Sequence, residues 1–193
     1  MTDIILQNIS AGFEGKTVLD SVNLRFKAGE INFIEGPSGS GKTTLLNIIA
    51  GFLSPDSGTV TGIPGKISYM FQEDRLCEDF SALSNVKLVK NKSKAEAENL
   101  LRALGITELK KPVRTFSGGM KRRVALARTL IAEAELFLLD EPFKGLDSEI
   151  RKAAINQLLK CTAGKTVIIV THDPEEIEAI SPCGNRIFLE KQD

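Results

Sequence analysis

Gly36-Pro37-Ser38-Gly39-Ser40-Gly41-Lys42-Thr43 has the form G-x-x-x-x-G-K-T, and its surroundings decide how it is read. An apolar run, Ile31 to Ile34, leads into it, and a helical pattern, Thr44 to Ala50, leads out. Strand, loop and helix in that order describe a phosphate-binding loop rather than a plain glycine-rich turn. Glycines at 36, 39 and 41 open backbone conformations closed to other residues, so successive N–H groups can point inward at an anion. The helix that follows adds its positive dipole end. Lys42 can reach terminal phosphates, and the Thr43 hydroxyl can ligate Mg²⁺ and so help neutralise the charge of phosphoryl transfer. Gly15-Lys16-Thr17 and Gly164-Lys165-Thr166 also read G-K-T, but Ser10 and Leu159 stand where the first glycine is needed.

The chain has 193 residues, 42% of them apolar, enough for one core and a single domain over 1–193, with room for a subdomain. Acidic and basic residues cancel at 25 each, so charge provides no general attraction to nucleic acid or to a membrane surface. No apolar run exceeds about five residues, against the roughly 18–20 that cross a bilayer, and the N-terminus lacks a charged-then-apolar signal pattern. A soluble, cytoplasmic protein is expected. Cys77, Cys161 and Cys183 are widely spaced, with no C-x-x-C pair and one histidine beside them, and read as reduced structural thiols.

Residues 3–9 and 17–27 read as strands, the second with Val22, Leu24 and Phe26 alternating as on a half-exposed antiparallel face. Between them Gly12-Phe13-Glu14-Gly15 reads as a turn, in which Phe13 either packs into the core or stacks on a nucleotide base. After the phosphate loop and its helix, Ser54-Pro55-Asp56-Ser57-Gly58 is a turn, followed by short strands near 59–61 and 66–71. Gln72 closes the second, where it is either solvated or turned toward a metal or water. A helical insertion begins near Glu73; within it, 93–104 is a capped amphipathic helix halted by Gly105.

Thr115-Phe116-Ser117-Gly118-Gly119-Met120 opens a helix with Val124, Ala127, Leu130 and Ile131 on one stripe. Ser117-Gly118-Gly119 serves as a cap or as a second anion site. Lys121, Arg122 and Arg123 are expected on a solvated face. Leu136 to Leu139 is a continuous apolar run, as in a strand covered on both sides, and it delivers Asp140 and Glu141 to its carboxyl end, the edge where open parallel sheets bind ligands. Asp140 suits a Mg²⁺ shell and Glu141 suits polarising an attacking water. Gly145-Leu146-Asp147 turns into a helix to about Lys160. A last buried strand, 167–170, ends at His172, which is either structural or a sensor of the terminal phosphate. A short helix from Pro174 and a strand over 186–190 close the chain.

Taken in order, these stations resemble the ATP-binding subunit of an ATP-binding cassette (ABC) transporter over essentially the whole chain. The specific marker is Phe116-Ser117-Gly118-Gly119-Met120 about twenty residues before Leu139-Asp140-Glu141-Pro142. The resemblance implies an α/β fold: a P-loop NTPase (RecA-like) core with a mixed or parallel sheet, an antiparallel β subdomain and a small helical subdomain at about 73–130. It implies ATP and Mg²⁺, with Phe13 against adenine and Gly36 to Thr44 around the phosphates. Gln72 becomes a Mg²⁺-sensing residue that also contacts a membrane subunit, and His172 the switch histidine. Ser117, Gly118 and Gly119 resemble a signature that caps the nucleotide of a second subunit, and Asp147 an aspartate that communicates across that dimer. Two chains, identical or not, would sandwich two ATPs and drive an integral membrane transport subunit, with the ATPase peripheral on the inner face of the membrane. A soluble ABC ATPase of protein or iron–sulfur cluster assembly is the alternative. Met120, where relatives usually carry glutamine, and Lys144, at an often small position, depart from the pattern. The wording around Gln72 and over 142–147 is most similar to bacterial importers of small anions such as sulfonates or nitrate.

Overall fold

The computed structural model describes residues 2–89 and 93–191; 90–92, within the expected helical insertion, and 1, 192 and 193 lie outside the described residues. β1 (Ile4–Phe13) and β2 (Lys16–Phe26) form a hairpin, and β3 (Ile31–Glu35) leads through the phosphate loop into α1 (Lys42–Ile49). β4 (Ser57–Thr61) and β5 (Ile67–Met70) follow. The insertion holds α2 (Ala82–Lys87), α3 (Lys94–Ala103) and α4 (Gly118–Leu130). Next come β6 (Leu136–Asp140), α5 (Ser148–Cys161), β7 (Thr166–Val170), α6 (Pro174–Ile180) and β8 (Asn185–Phe188).

Local chemistry sets many of these boundaries. Ser93 and Glu96 form a reciprocal capping box at the start of α3, and Gly105 takes φ 72° just past its end. Ser117 accepts from the Met120 N–H and Asp147 from the Ile150 N–H, capping α4 and α5. The hairpin turn is shorter than its sequence suggests. Only Glu14 and Gly15, both at positive φ, lie between the strands, and Gly12 and Phe13 belong to β1.

Two sheets result. β2-β1-β4 is antiparallel, and β5-β6-β7-β3-β8 is parallel throughout. Every residue of β6 and β7 is buried, and alternate residues feed different cores. Phe137, Leu139, Val167 and Ile169 pack toward the helical subdomain and α5. Leu136, Leu138, Ile168 and Val170 meet α1 and the antiparallel sheet. The parallel sheet is thus the middle layer, and its pairing brings the ends of β3, β5, β6 and β7 to one edge.

The three cysteines are free. Among the described residues no helix is long and apolar enough to cross a membrane.

Phe137, fully enclosed under the helical layer, is expected to tie β6 to that layer. Phe137→Ala should lower the unfolding free energy by about 3–5 kcal/mol in urea denaturation, and a loss below about 1 kcal/mol would show that this core relaxes freely.

Candidate functional site

The phosphate loop leaves β3 at Gly36, which takes φ 143° and lies so close to the strand's neighbour that a Cβ there would stand 2.2 Å from the Leu189 carbonyl oxygen. Gly41, at φ 89°, turns the chain into α1, and a Cβ would meet the Leu19 side chain at 2.7 Å. Both positions therefore need glycine for conformation and for space. Lys42 folds back over the loop, its Nζ donating to the carbonyls of Gly36 at 2.8 Å and Pro37 at 2.6 Å. Desolvation lowers its ammonium pKa, while Glu141 and Asp140 oppose that shift.

A cavity of about 740 Å³ opens above this loop. Gly36 to Gly39, Gly41, Lys42, Thr43 and Thr44 form its floor, and Gln72, Asp140, Glu141, His172 and Phe13 stand around it. Phe13 is half exposed at the rim rather than packed in the core. The hairpin carries it past the end of the hydrophobic layer and leaves its ring facing the cavity. Ser40 is fully buried, outside the lining, with its hydroxyl unpartnered; what it offers the cradle is backbone.

Asp140 ends β6 and is almost completely buried. Its Oδ2 accepts from the Thr43 hydroxyl at 2.7 Å. Burial raises its pKa, and the Thr43 hydrogen bond, Arg122 and Lys42 pull the other way. Two oxygen donors converging beside a phosphate loop fit Mg²⁺, which takes one or two protein ligands and completes its shell with phosphate and water. Among the described residues no cluster of three His, Cys, Asp or Glu side chains could hold a metal alone.

Glu141 has φ 48°, a conformation uncommon outside glycine, which turns its side chain into the cavity mouth while Asp140 faces Thr43. Its Oε2 accepts from Lys144 Nζ at 2.7 Å, and its Oε1 lies 3.4 Å from His172 Nδ1. Burial alone would raise its carboxyl pKa, but Lys144, His172 and Lys42 outweigh it and hold the group below the usual range. Glu141 is therefore a carboxylate at neutral pH.

The basic triplet of α4 departs from expectation. Lys121 reaches solvent and pairs with Glu78 at 2.8 Å, but Arg122 and Arg123 are buried. Arg122 Nη1 donates to the carbonyls of Phe71 and Gln72, each at 3.0 Å, and to Asp74 Oδ1 at 2.9 Å. Its Nη2 donates to the carbonyls of Asp140 at 2.5 Å and Glu141 at 2.7 Å. One guanidinium thus joins the Gln72 loop to the Asp140–Glu141 loop. Arg123 donates to the carbonyls of Gly119, Leu104 and Gly105, linking α4 to the end of α3. A legible signal existed for Arg122: it lies four, seven and eight residues before the buried Leu126, Thr129 and Leu130, on a core-facing phase of the helix.

Ser117, Gly118, Gly119 and Asp147 do not reach the cavity. The two caps open α4 and α5, and Gly119 passes close to Gly145. Within one chain, the cavity gathers the phosphate loop with Phe13, Gln72, Asp140, Glu141, Lys144 and His172.

A family profile for ABC transporters matches residues 19–144, more than half the chain. The chain belongs to the ABC transporter family. It is 40% identical to the taurine import ATP-binding protein TauB of Roseobacter denitrificans, over 91% of this chain and 74% of that protein. The spermidine/putrescine import ATP-binding protein PotA of Spiroplasma citri is 39% identical over 91% of this chain, which spans 56% of PotA. Among solved structures, the dimeric bacterial ABC transporter cassette MJ0796 superposes with TM-score 0.85 and 30% identity, covering 97% of this chain and 94% of that one. The same cassette in a post-hydrolysis state with ADP and Pi gives 0.85 and 29%, over 98% and 97%. The α/β cassette fold and an ATPase activity follow from this membership.

Arg122→Met would leave four carbonyls and Asp74 without their shared donor. It should cost about 3 kcal/mol of unfolding free energy, against less than about 1 kcal/mol for Lys121→Met at an exposed pair. Equal losses in urea denaturation would remove Arg122 from its structural role.

Proposed function

We propose that this ATPase drives import through an integral membrane partner, with Glu141 polarising the attacking water. The observation that carries the reading is the position of Glu141: an ionised carboxylate at the mouth of the phosphate loop, one residue beyond Asp140 and beside His172. Lys42 and the loop N–H groups bind the phosphates, and Phe13 supports the adenine face. Thr43 and Asp140 would hold Mg²⁺, and Gln72, which lines the same cavity, would contribute to its shell. When bound, that ion neutralises charge on the transferred phosphoryl group. Glu141 accepts a proton from water, and His172 orients the carboxylate and stands where the departing phosphate can be sensed.

Ser117, Gly118, Gly119 and Asp147 act on a second copy. Their place outside the cavity supports two chains facing each other, each supplying its signature helix to the other's nucleotide. Both caps sit at helix N-termini, and α4 runs 13 residues from its own, so its positive end would face a terminal phosphate.

The membrane partner is met beside Gln72. Phe52, 66% exposed, stacks on Tyr69 and Phe71, with centroids 6.0 and 5.8 Å apart, and the Arg75 guanidinium lies 3.7 Å above Phe71. An exposed aromatic patch with an arginine at its edge suits a protein contact. It shares the Gln72 loop that Arg122 ties to Glu141, so docking and hydrolysis act on one connected element. The chain works at the inner face of the membrane through this contact. Sulfonate import is the cargo reading that TauB and the similarly matched aliphatic sulfonates import ATP-binding proteins favour. PotA matches almost as well because a cassette carries the nucleotide site and not the cargo site.

Glu141→Gln should lower ATP turnover at least about 100-fold, as expected for loss of a general base, while labelled ATP still binds. Turnover within a few-fold of the unaltered protein would take Glu141 out of this role. A labelled nucleotide is required because the chain has no tryptophan.

A further inference from the structure

Neither the phosphate loop nor the parallel sheet explains Lys144. Its ammonium donates to Glu141 Oε2 at 2.7 Å and lines the same cavity as Lys42 and His172. The Lys144 side chain is 59% exposed and its partner Glu141 only 16%, so the lysine is the solvent-facing member of the pair. Both groups spring from one tight turn, in which the Lys144 N–H donates to the Glu141 carbonyl at 3.2 Å. That turn leaves the ammonium in the wall of the cavity above the phosphate loop.

Lys42, by contrast, sits at the base of the loop, where its Nζ donates to the carbonyls of Gly36 and Pro37. The site therefore holds two ammonium groups, one at the base and one at the rim. A terminal phosphate emerging from the cradle carries more charge than a single carboxylate and offers several acceptor oxygens. Only the lysine of this pair faces solvent, and a charged phosphate with several acceptor oxygens competes with one carboxylate oxygen for its ammonium.

We propose that Lys144 leaves Glu141 for the terminal phosphate of a nucleoside triphosphate, and so makes the site prefer triphosphate over diphosphate. This rests on the phosphate-loop reading given above. The exchange frees Glu141 Oε2 at the moment a triphosphate arrives, while His172 remains beside Oε1. With a diphosphate bound, Lys144 has nothing to move to and stays on the carboxylate. Lys144 is thus a phosphate-discriminating residue, and it holds the base in reserve between turnovers.

The test is equilibrium displacement of a fluorescent ADP, with Mg²⁺ present, by ADP or by a non-hydrolysable β,γ-imido analogue of ATP. For each protein the ratio of the two dissociation constants, ADP over analogue, is the readout. Lys144→Met should lower that ratio about five- to tenfold, chiefly through weaker analogue binding, and Lys144→Arg should keep it within about twofold. A ratio unchanged in Lys144→Met would overturn the assignment, as would an equal fall in both variants, which would mark shape rather than charge. Lys42→Ala separates the two readings. If it still binds both nucleotides, the phosphate-loop reading itself falls. If it loses both while Lys144→Met keeps its ratio, only the role of Lys144 falls.

Discussion

Parallel pairing of β5, β6, β7 and β3 is the constraint on which everything else depends. Strands aligned in one direction end on one edge, so Gln72, Asp140, His172 and the phosphate loop, up to about 136 residues apart in sequence, share one cavity. The pairing holds because both sheet faces are covered. β6 and β7 bury every residue, alternately against the helical layer and against α1 with the antiparallel sheet. Slipping one residue in register would exchange those two sets of side chains and turn Asp140 away from Thr43.

Electrostatics then decides what the edge can do. Two carboxylates side by side would repel and raise each other's pKa. The positive φ of Glu141 turns the two side chains apart and each has its own partners, Thr43 for Asp140, Lys144 and His172 for Glu141, yet burial, with the Glu141 charge adding to it, still pushes Asp140 up. Arg122 anchors both peptide carbonyls from behind and holds the Gln72 loop with the same guanidinium. The Gln72 loop and the backbone that carries Glu141 therefore share one side chain as their common donor.

Much of this was legible in the sequence. The phosphate loop, the apolar run before Asp140 and Glu141, and the capped helix at 93–104 each rest on local chemistry, and each appears where its residues put it. What the sequence did not disclose depends on partners distant in the chain. Arg122 lies on the core-facing phase of α4, but which carbonyls it serves is settled only when the Gln72 loop and the end of β6 are brought against it. Phe13 cannot be assigned to core or rim until the hairpin length is known. Ser117 and Asp147 cap helices in plain view, yet one chain gives them no nucleotide to touch.

Two cassettes closed on nucleotide are the working unit we propose. The solved cassette MJ0796 is dimeric, and here Ser117, Gly118 and Gly119 at the start of α4 lie outside the cavity of their own chain. The decisive measurement is the solution mass of Glu141→Gln by light scattering, with and without ATP. A doubling of mass only when ATP is present is the predicted result. A protein that binds ATP and remains monomeric at every concentration would contradict closure between identical chains.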